Sequence, residues 1–223
     1  MLSARQAVER LRAGNDRFIA GRTHRAAATD RARRAELVAG QRPFAVILGC
    51  SDSRVPVELV FDQGLGDLFV VRVAGNVAAP PQVGSVEFAA EQFGTRLVVV
   101  LGHSECGAVR ATVDAMQRPG RPGSPNLASI VDHIRPSLDG LLQTEPRHGA
   151  EALLRHAVRA NVRAAADHLR RRSGVLEPLI GQDGLRVVGA EYSLQTGVVD
   201  FFDGVPEASS SPRPATAPGA RAR

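Results

Sequence analysis

Two short stretches of this chain carry side chains that could do chemistry together: Cys50-Ser-Asp52-Ser-Arg54 and, later, His103-Ser-Glu-Cys106. They offer two thiols, one imidazole and one carboxylate. Soft sulfur with borderline nitrogen is the donor mixture that Zn²⁺ favours, and each stretch supplies part of it. Asp52, two residues beyond the first thiol, adds a ligand that can leave, which a purely structural site does not need. Arg54 presents a planar fork that can hold the Asp52 carboxylate by two parallel hydrogen bonds, a task that suits it better than lysine.

Other chemistries compete for these residues. Cys50 and Cys106 are the only cysteines, and one disulfide between them would not make a disulfide framework. The Cys-x-x-x-Arg spacing is too short for the phosphate-wrapping loop of a cysteine phosphatase. Two inert buried thiols would fit the usual habit of cysteine. They would leave Asp52, Arg54 and His103 without a purpose. Zinc accounts for all five residues, and a structural zinc beside an ordinary Asp–Arg pair remains the alternative to a catalytic one.

The flanking sequence positions both stretches alike. Phe44–Cys50 and Leu97–His103 are short continuous apolar runs rich in β-branched residues, the pattern of parallel strands buried on both faces. Each ends in glycine followed by a proposed ligand. Sites in open parallel sheets form just beyond the carboxyl ends of strands. Asp67–Arg72 reads as a second strand, and Leu185–Glu191 and Gly197–Phe201 as a fourth and fifth. Helical spacing predicts helices over 3–20, 29–39, 83–93, 106–116, 127–142 and 149–173, with a proline- and glycine-rich loop at 118–126. A helix opening at Cys106 would set its thiolate near a positive dipole end.

Composition bounds the rest. The chain of 223 residues suits one α/β domain, taken as 1–204, with a Pro/Ser/Ala/Arg tail over 205–223 too broken to fold. The net charge of +5 comes entirely from arginine, since no lysine occurs. The arginines are scattered, with little aromatic interleaving, so no nucleic-acid partner is expected. No apolar run is long enough to span a bilayer, and no leader is evident at the start, so the expected location is cytoplasmic, away from membranes. His24, His133, His148, His156 and His168 sit among charged neighbours and read as solvated or capping residues. Gly64, Gly66 and Gly75 lack the order of a dinucleotide fingerprint.

The motifs carry a family likeness. Leu48-Gly-Cys50-Ser-Asp52-Ser-Arg54-Val-Pro and Val100-Leu-Gly-His103-Ser-Glu-Cys106-Gly-Ala resemble the bacterial β-class carbonic anhydrases. So do Leu11-x-x-Gly-Asn-x-Arg-Phe18, Gly40-Gln41-x-Pro43, Phe61–Phe69, Val71–Asn76, Gly84–Phe88 and Val187–Tyr192, so that the likeness runs from residue 3 to 202. The resemblance implies an α/β fold with four parallel strands, one antiparallel edge strand, flanking helices and an N-terminal helical arm. It implies one zinc per chain on Cys50, His103 and Cys106, with Asp52 either the fourth ligand or the partner of Arg54. Gln41, Phe69, Phe88 and Gly107 fall at substrate-binding positions, Gln41 reaching into a neighbouring subunit's pocket, so a homodimer or homotetramer is expected.

The implied activity is reversible hydration of carbon dioxide to bicarbonate. Hydrolysis of COS or CS₂ on the same scaffold and a non-catalytic zinc-stabilised binding module are the alternatives. Some relatives hold an inhibitory bicarbonate between tryptophan, arginine and tyrosine. Arg72 and Tyr192 match two of these, but Ile47 stands at the tryptophan position and the chain has no tryptophan.

Overall fold

In the computed structural model, which describes residues 2–24, 30–117, 124–144 and 149–206, the two apolar runs become β1 (Ala45–Gly49) and β3 (Leu97–His103), every residue of both buried. With β2 (Leu68–Arg72), β4 (Arg186–Tyr192) and β5 (Val199–Asp203) they form one sheet in the order β2-β1-β3-β4-β5. The first four strands are parallel; β5 pairs antiparallel with β4. Gly49 lies opposite both Arg72 and Leu101. The segments after β1 and β3 therefore emerge at the same end of the sheet.

Alternate side chains of the strands feed two apolar layers, as the pleat requires. Ala45, Ile47, Leu97, Val99 and Leu101 pack with Ala7, Val8 and Leu11 of α1 (Ala4–Ile19) and with Phe61. Val46, Leu48, Val98 and Val100 pack with α4 (Pro80–Gln92) and α8 (Ala150–Arg171). Helices on both faces are why the strands are apolar throughout rather than alternating. Ser3 starts α1 with a reciprocal capping box to Gln6, satisfying two otherwise orphaned N–H groups. Leu11 is fully buried, so Leu11→Ala would cost about 2–5 kcal/mol.

The N-terminal arm divides into two unlike parts. α1 lies on the chain's own sheet, whereas α2 (Arg31–Leu37), capped by Asp30, buries none of its residues, and Val38 after it is 89% exposed. Val57–Val60 forms a one-turn helix, α3. α5 (Gly107–Gln117) starts directly after Cys106.

The structure differs from the sequence reading at four elements. α4 begins at Pro80, because proline is tolerated in a first helical turn, where its missing N–H has no partner to lose. The helix expected over 127–142 is broken into α6 (Pro125–Ile134), a 3₁₀ turn at Arg135–Ser137 and α7 (Asp139–Thr144). Pro136 sits in the break and cannot donate to a continuing helix. α9 (Leu176–Gln182) had no periodic signal, being short and containing Pro178. β5 runs to Asp203, two residues beyond the expected end. Most of the 118–126 loop, His148 and the tail from 207 onward lie outside the described residues.

Candidate metal centre

Cys50 follows β1, His103 ends β3 and Cys106 precedes α5. Their Sγ and ring nitrogen atoms all lie within 4.8 Å of one another. All three residues are buried, His103 completely. Both cysteines are free thiols. His103 Nδ1 lies 2.8 Å from the carbonyl oxygen of Ser104. A carbonyl can only accept, so Nδ1 carries the proton and Nε2 keeps a lone pair. That Nε2 is buried without a hydrogen-bond partner among the described residues. A buried acceptor costs free energy unless something satisfies it.

The two sulfurs share one proton deficit. The neighbouring Cys106 thiol draws Cys50 below the ordinary thiol range against the opposing effect of burial, helped by the nearby His103 and by the N–H groups of Gly75 and Asp52. The same contact and burial push Cys106 far above the ordinary thiol range. Burial disfavours the charged form of His103, but the nearness and negative charge of the Cys50 sulfur outweigh it, so its pKa is raised. A thiol pair that wants a cation, facing a lone pair that lacks a donor, is a group fitted to a metal ion.

Asp52 stands outside these three donors. Its carboxylate is turned to Arg54, which donates from its backbone N–H and from Nε to Oδ1, each at 2.9 Å, and from Nη2 to Oδ2 at 2.7 Å. Of the two positions open to Asp52, the structure holds the pairing with Arg54. The guanidinium keeps the Asp52 carboxyl well below the usual carboxylate range. Oδ2 nevertheless remains 3.8 Å from His103 Nε2, at the edge of the metal group. Arg54 also reaches the carbonyl of Glu105, at 3.3 Å, tying the first stretch to the second.

Residues matching a family model described as carbonic anhydrase run from 45 to 199, a span that contains both stretches. The chain belongs to that family. It is 41% identical over 193 residues to carbonic anhydrase 2 of Mycobacterium tuberculosis strain H37Rv, covering 84% of this chain and 87% of that one. The β-carbonic anhydrase CafA of Aspergillus fumigatus superposes with a TM-score of 0.70 at 25% identity, over 78% of this chain and 82% of that one. Similar in fold are tetrameric β-carbonic anhydrases from Sordaria macrospora, with a TM-score of 0.68 at 23% identity, over 75% and 84%. The anhydrase is thus a bacterial β-class enzyme in sequence and architecture.

Not every residue singled out in the anhydrase sequence joins the thiol–imidazole group. Gln41 is exposed before β1, at the opposite end of the strand from Cys50. The four steps of β1 alone separate them by about 13 Å. Phe69 lies opposite Val46 in the register, and its ring stacks with Phe88 and Phe93 at centroid distances of 6.2 and 5.9 Å. Phe88 is 52% exposed. Gly107 is exposed beside Cys106, with nothing within 4 Å of where a Cβ would stand.

Three residues make supporting contacts that the sequence did not show. Arg72 donates to the carbonyls of Cys50, at 3.1 Å, and Asp52, at 2.7 Å, bracing the loop that carries them. Its place opposite Gly49 in the register is the signal that would have revealed this. The Gly75 N–H donates to Cys50 Sγ at 3.3 Å. Asn161 donates to the carbonyl of Gly75 at 2.8 Å.

Proposed function

We propose that this enzyme hydrates carbon dioxide reversibly to bicarbonate and a proton, with one zinc ion per chain held by Cys50, His103 and Cys106. The observation that carries the reading is the unpartnered Nε2 of His103, buried against two thiols beside a carboxylate already held by Arg54. Bound there, zinc would supply Lewis acidity that makes water a nucleophile near neutral pH.

The chain's own residues do the rest. Asp52, ionised and fixed by two arms of Arg54, is an acceptor-only group. It takes a hydrogen bond from the attacking oxygen and so turns that oxygen's free lone pair toward carbon. Arg54 holds the carboxylate in this posture and away from the metal. Near-complete burial of His103 and Cys106 keeps bulk water from the ligands.

Gln41, Phe69 and Phe88 serve a neighbouring copy's site in this reading. They sit away from their own chain's thiols, and the Phe69–Phe88–Phe93 cluster offers an apolar surface at the open β2 edge. The tetrameric assembly of the Sordaria relatives agrees with this arrangement. Gly107 leaves room for substrate beside Cys106. Reduced, buried thiols suit a cytoplasmic setting, and among the described residues no helix is long and apolar enough to cross a membrane.

Stopped-flow CO₂ hydration by the zinc-loaded protein, at about pH 7 and 8.5, tests the reading, with COS and CS₂ offered in parallel. Rapid CO₂ turnover that falls in Asp52→Asn while zinc stays bound is expected. A zinc-loaded assembly inert toward CO₂ would overturn it, leaving COS or CS₂ hydrolysis, or a binding module, according to the parallel arms.

A further inference from the structure

The loop after β2 passes Cys50 through two consecutive left-handed residues, Gly75 (φ 73°) and Asn76 (φ 45°). Asn76 is 1% exposed, and its Nδ2 has no partner among the described residues. Backbone of this kind persists only where the surroundings hold it. The Asn76 N–H closes the turn on the Val73 carbonyl at 3.1 Å. The other hold comes from far along the chain: Asn161 of α8, itself buried, donates from Nδ2 to the Gly75 carbonyl at 2.8 Å. From the same residue, the Gly75 N–H donates to Cys50 Sγ.

Asn161 reaches the turn because α8 lies unusually close to the sheet. A Cβ on Gly102 would stand 2.5 Å from Val162 Cγ2 and 3.2 Å from Val158 Cγ1, and one on Gly189 would stand 2.9 Å from Val162 Cγ1. Only glycine at both strand positions lets the helix settle there. Gly75 is equally constrained, since a Cβ on it would meet Ile134 Cδ1 at 2.7 Å.

We propose that Asn161 is a positioning residue of the metal centre: by holding the Gly75 carbonyl it keeps the Gly75 N–H on the Cys50 sulfur, and so sets how that sulfur donates to the metal. This rests on the reading of Cys50, His103 and Cys106 as metal ligands. An N–H donor draws electron density from a thiolate. Without Asn161 the left-handed turn relaxes, the N–H swings off the sulfur, and the ligand becomes both less well placed and more electron-rich. Partners that orient metal ligands contribute in this way without touching the ion.

Cobalt(II) is the probe, because sulfur-to-cobalt charge-transfer absorption reports electron density on the thiolates. Full-length metal-free protein is loaded with Co²⁺, or with Zn²⁺ for chelator competition, as wild type, Asn161→Leu and Asn161→Ala. Leucine removes the donor at similar size; alanine removes it without crowding and serves if leucine prevents folding. The expected result is a charge-transfer band moved to lower energy and metal affinity weakened roughly 10- to 100-fold, with loaded protein losing more melting temperature than metal-free protein. A folded variant with the wild-type band and affinity overturns the proposal, as does equal destabilisation of both forms with the band unmoved, which marks a packing role alone. If wild-type protein shows no sulfur-to-cobalt band, the metal-ligand reading itself fails and the role of Asn161 falls with it.

Discussion

At the carboxyl ends of β1 and β3 the chain has buried its chemistry and satisfied nearly all of it; at the β2 edge it has left aromatic rings in the open. In the first region only His103 Nε2 and Asn76 Nδ2 are buried side-chain atoms without a partner among the described residues. In the second, Phe88 keeps half of its surface exposed against Phe69 and Phe93. What each region lacks identifies what completes it. In the proposed reading a cation completes the buried lone pair beside two thiols, whereas another copy of the chain completes the exposed aromatic cluster. The two should therefore fail separately.

The largest effect is expected where the cation binds. Cys106→Ala removes one of the three proposed donors, and metal analysis of the purified variant should find zinc essentially absent while light scattering finds the assembly largely retained. Full zinc content in that variant would remove Cys106 from the ligand set. It would also break the distinction between the two regions.

Next comes the pair at the rim of the metal group. Arg54→Ala frees the Asp52 carboxylate, and the CO₂ hydration rate should fall roughly 10- to 100-fold, as for other residues that orient a metal site, with zinc still bound. The pH profile sharpens this. The folded-state pKa of Asp52 is depressed, so whatever the pair contributes to stability is fully present above the unfolded carboxylate value of about 4 and is lost only as pH falls through the folded value. Asp52 should then leave no inflection in the wild-type rate between about pH 6 and 9. An inflection that disappears in Asp52→Asn would show that this carboxyl titrates in the working range.

A smaller effect is expected at the aromatic edge. Phe88→Arg places a charge where an apolar partner would sit and should weaken self-association by about tenfold or more, or about 1.4 kcal/mol. Sedimentation equilibrium would measure it. Zinc content should not change. Wild-type self-association in this variant would move the interface elsewhere.

The sequence disclosed these regions unequally. The apolar runs ending at Gly49 and Gly102 made the central strands and both ligand stretches legible, because burial on two faces leaves little freedom of residue type. The Asp52–Arg54 contact was legible as two alternatives, since a spacing of two permits the pair without choosing it over the metal. Helix boundaries were less legible: the helix expected from 83 starts at Pro80, whose proline pair forms the first turn, and Pro136 breaks the helix expected over 127–142. Asn161 could not be found from pattern at all, and Arg72 entered only through the family likeness, with nothing to show what it braces. Each acts on backbone carbonyls brought near by the fold, and a carbonyl has no signature in a sequence.

X-ray absorption at the zinc edge of the loaded protein tests the central assignment most directly, because it counts ligand types around the metal. Two sulfurs at about 2.3 Å with two lighter donors at about 2.0–2.2 Å are expected, and Cys50→Ser should reduce the sulfur count to one in whatever metal it retains. A wild-type zinc without sulfur neighbours, or with a single one, would contradict the account.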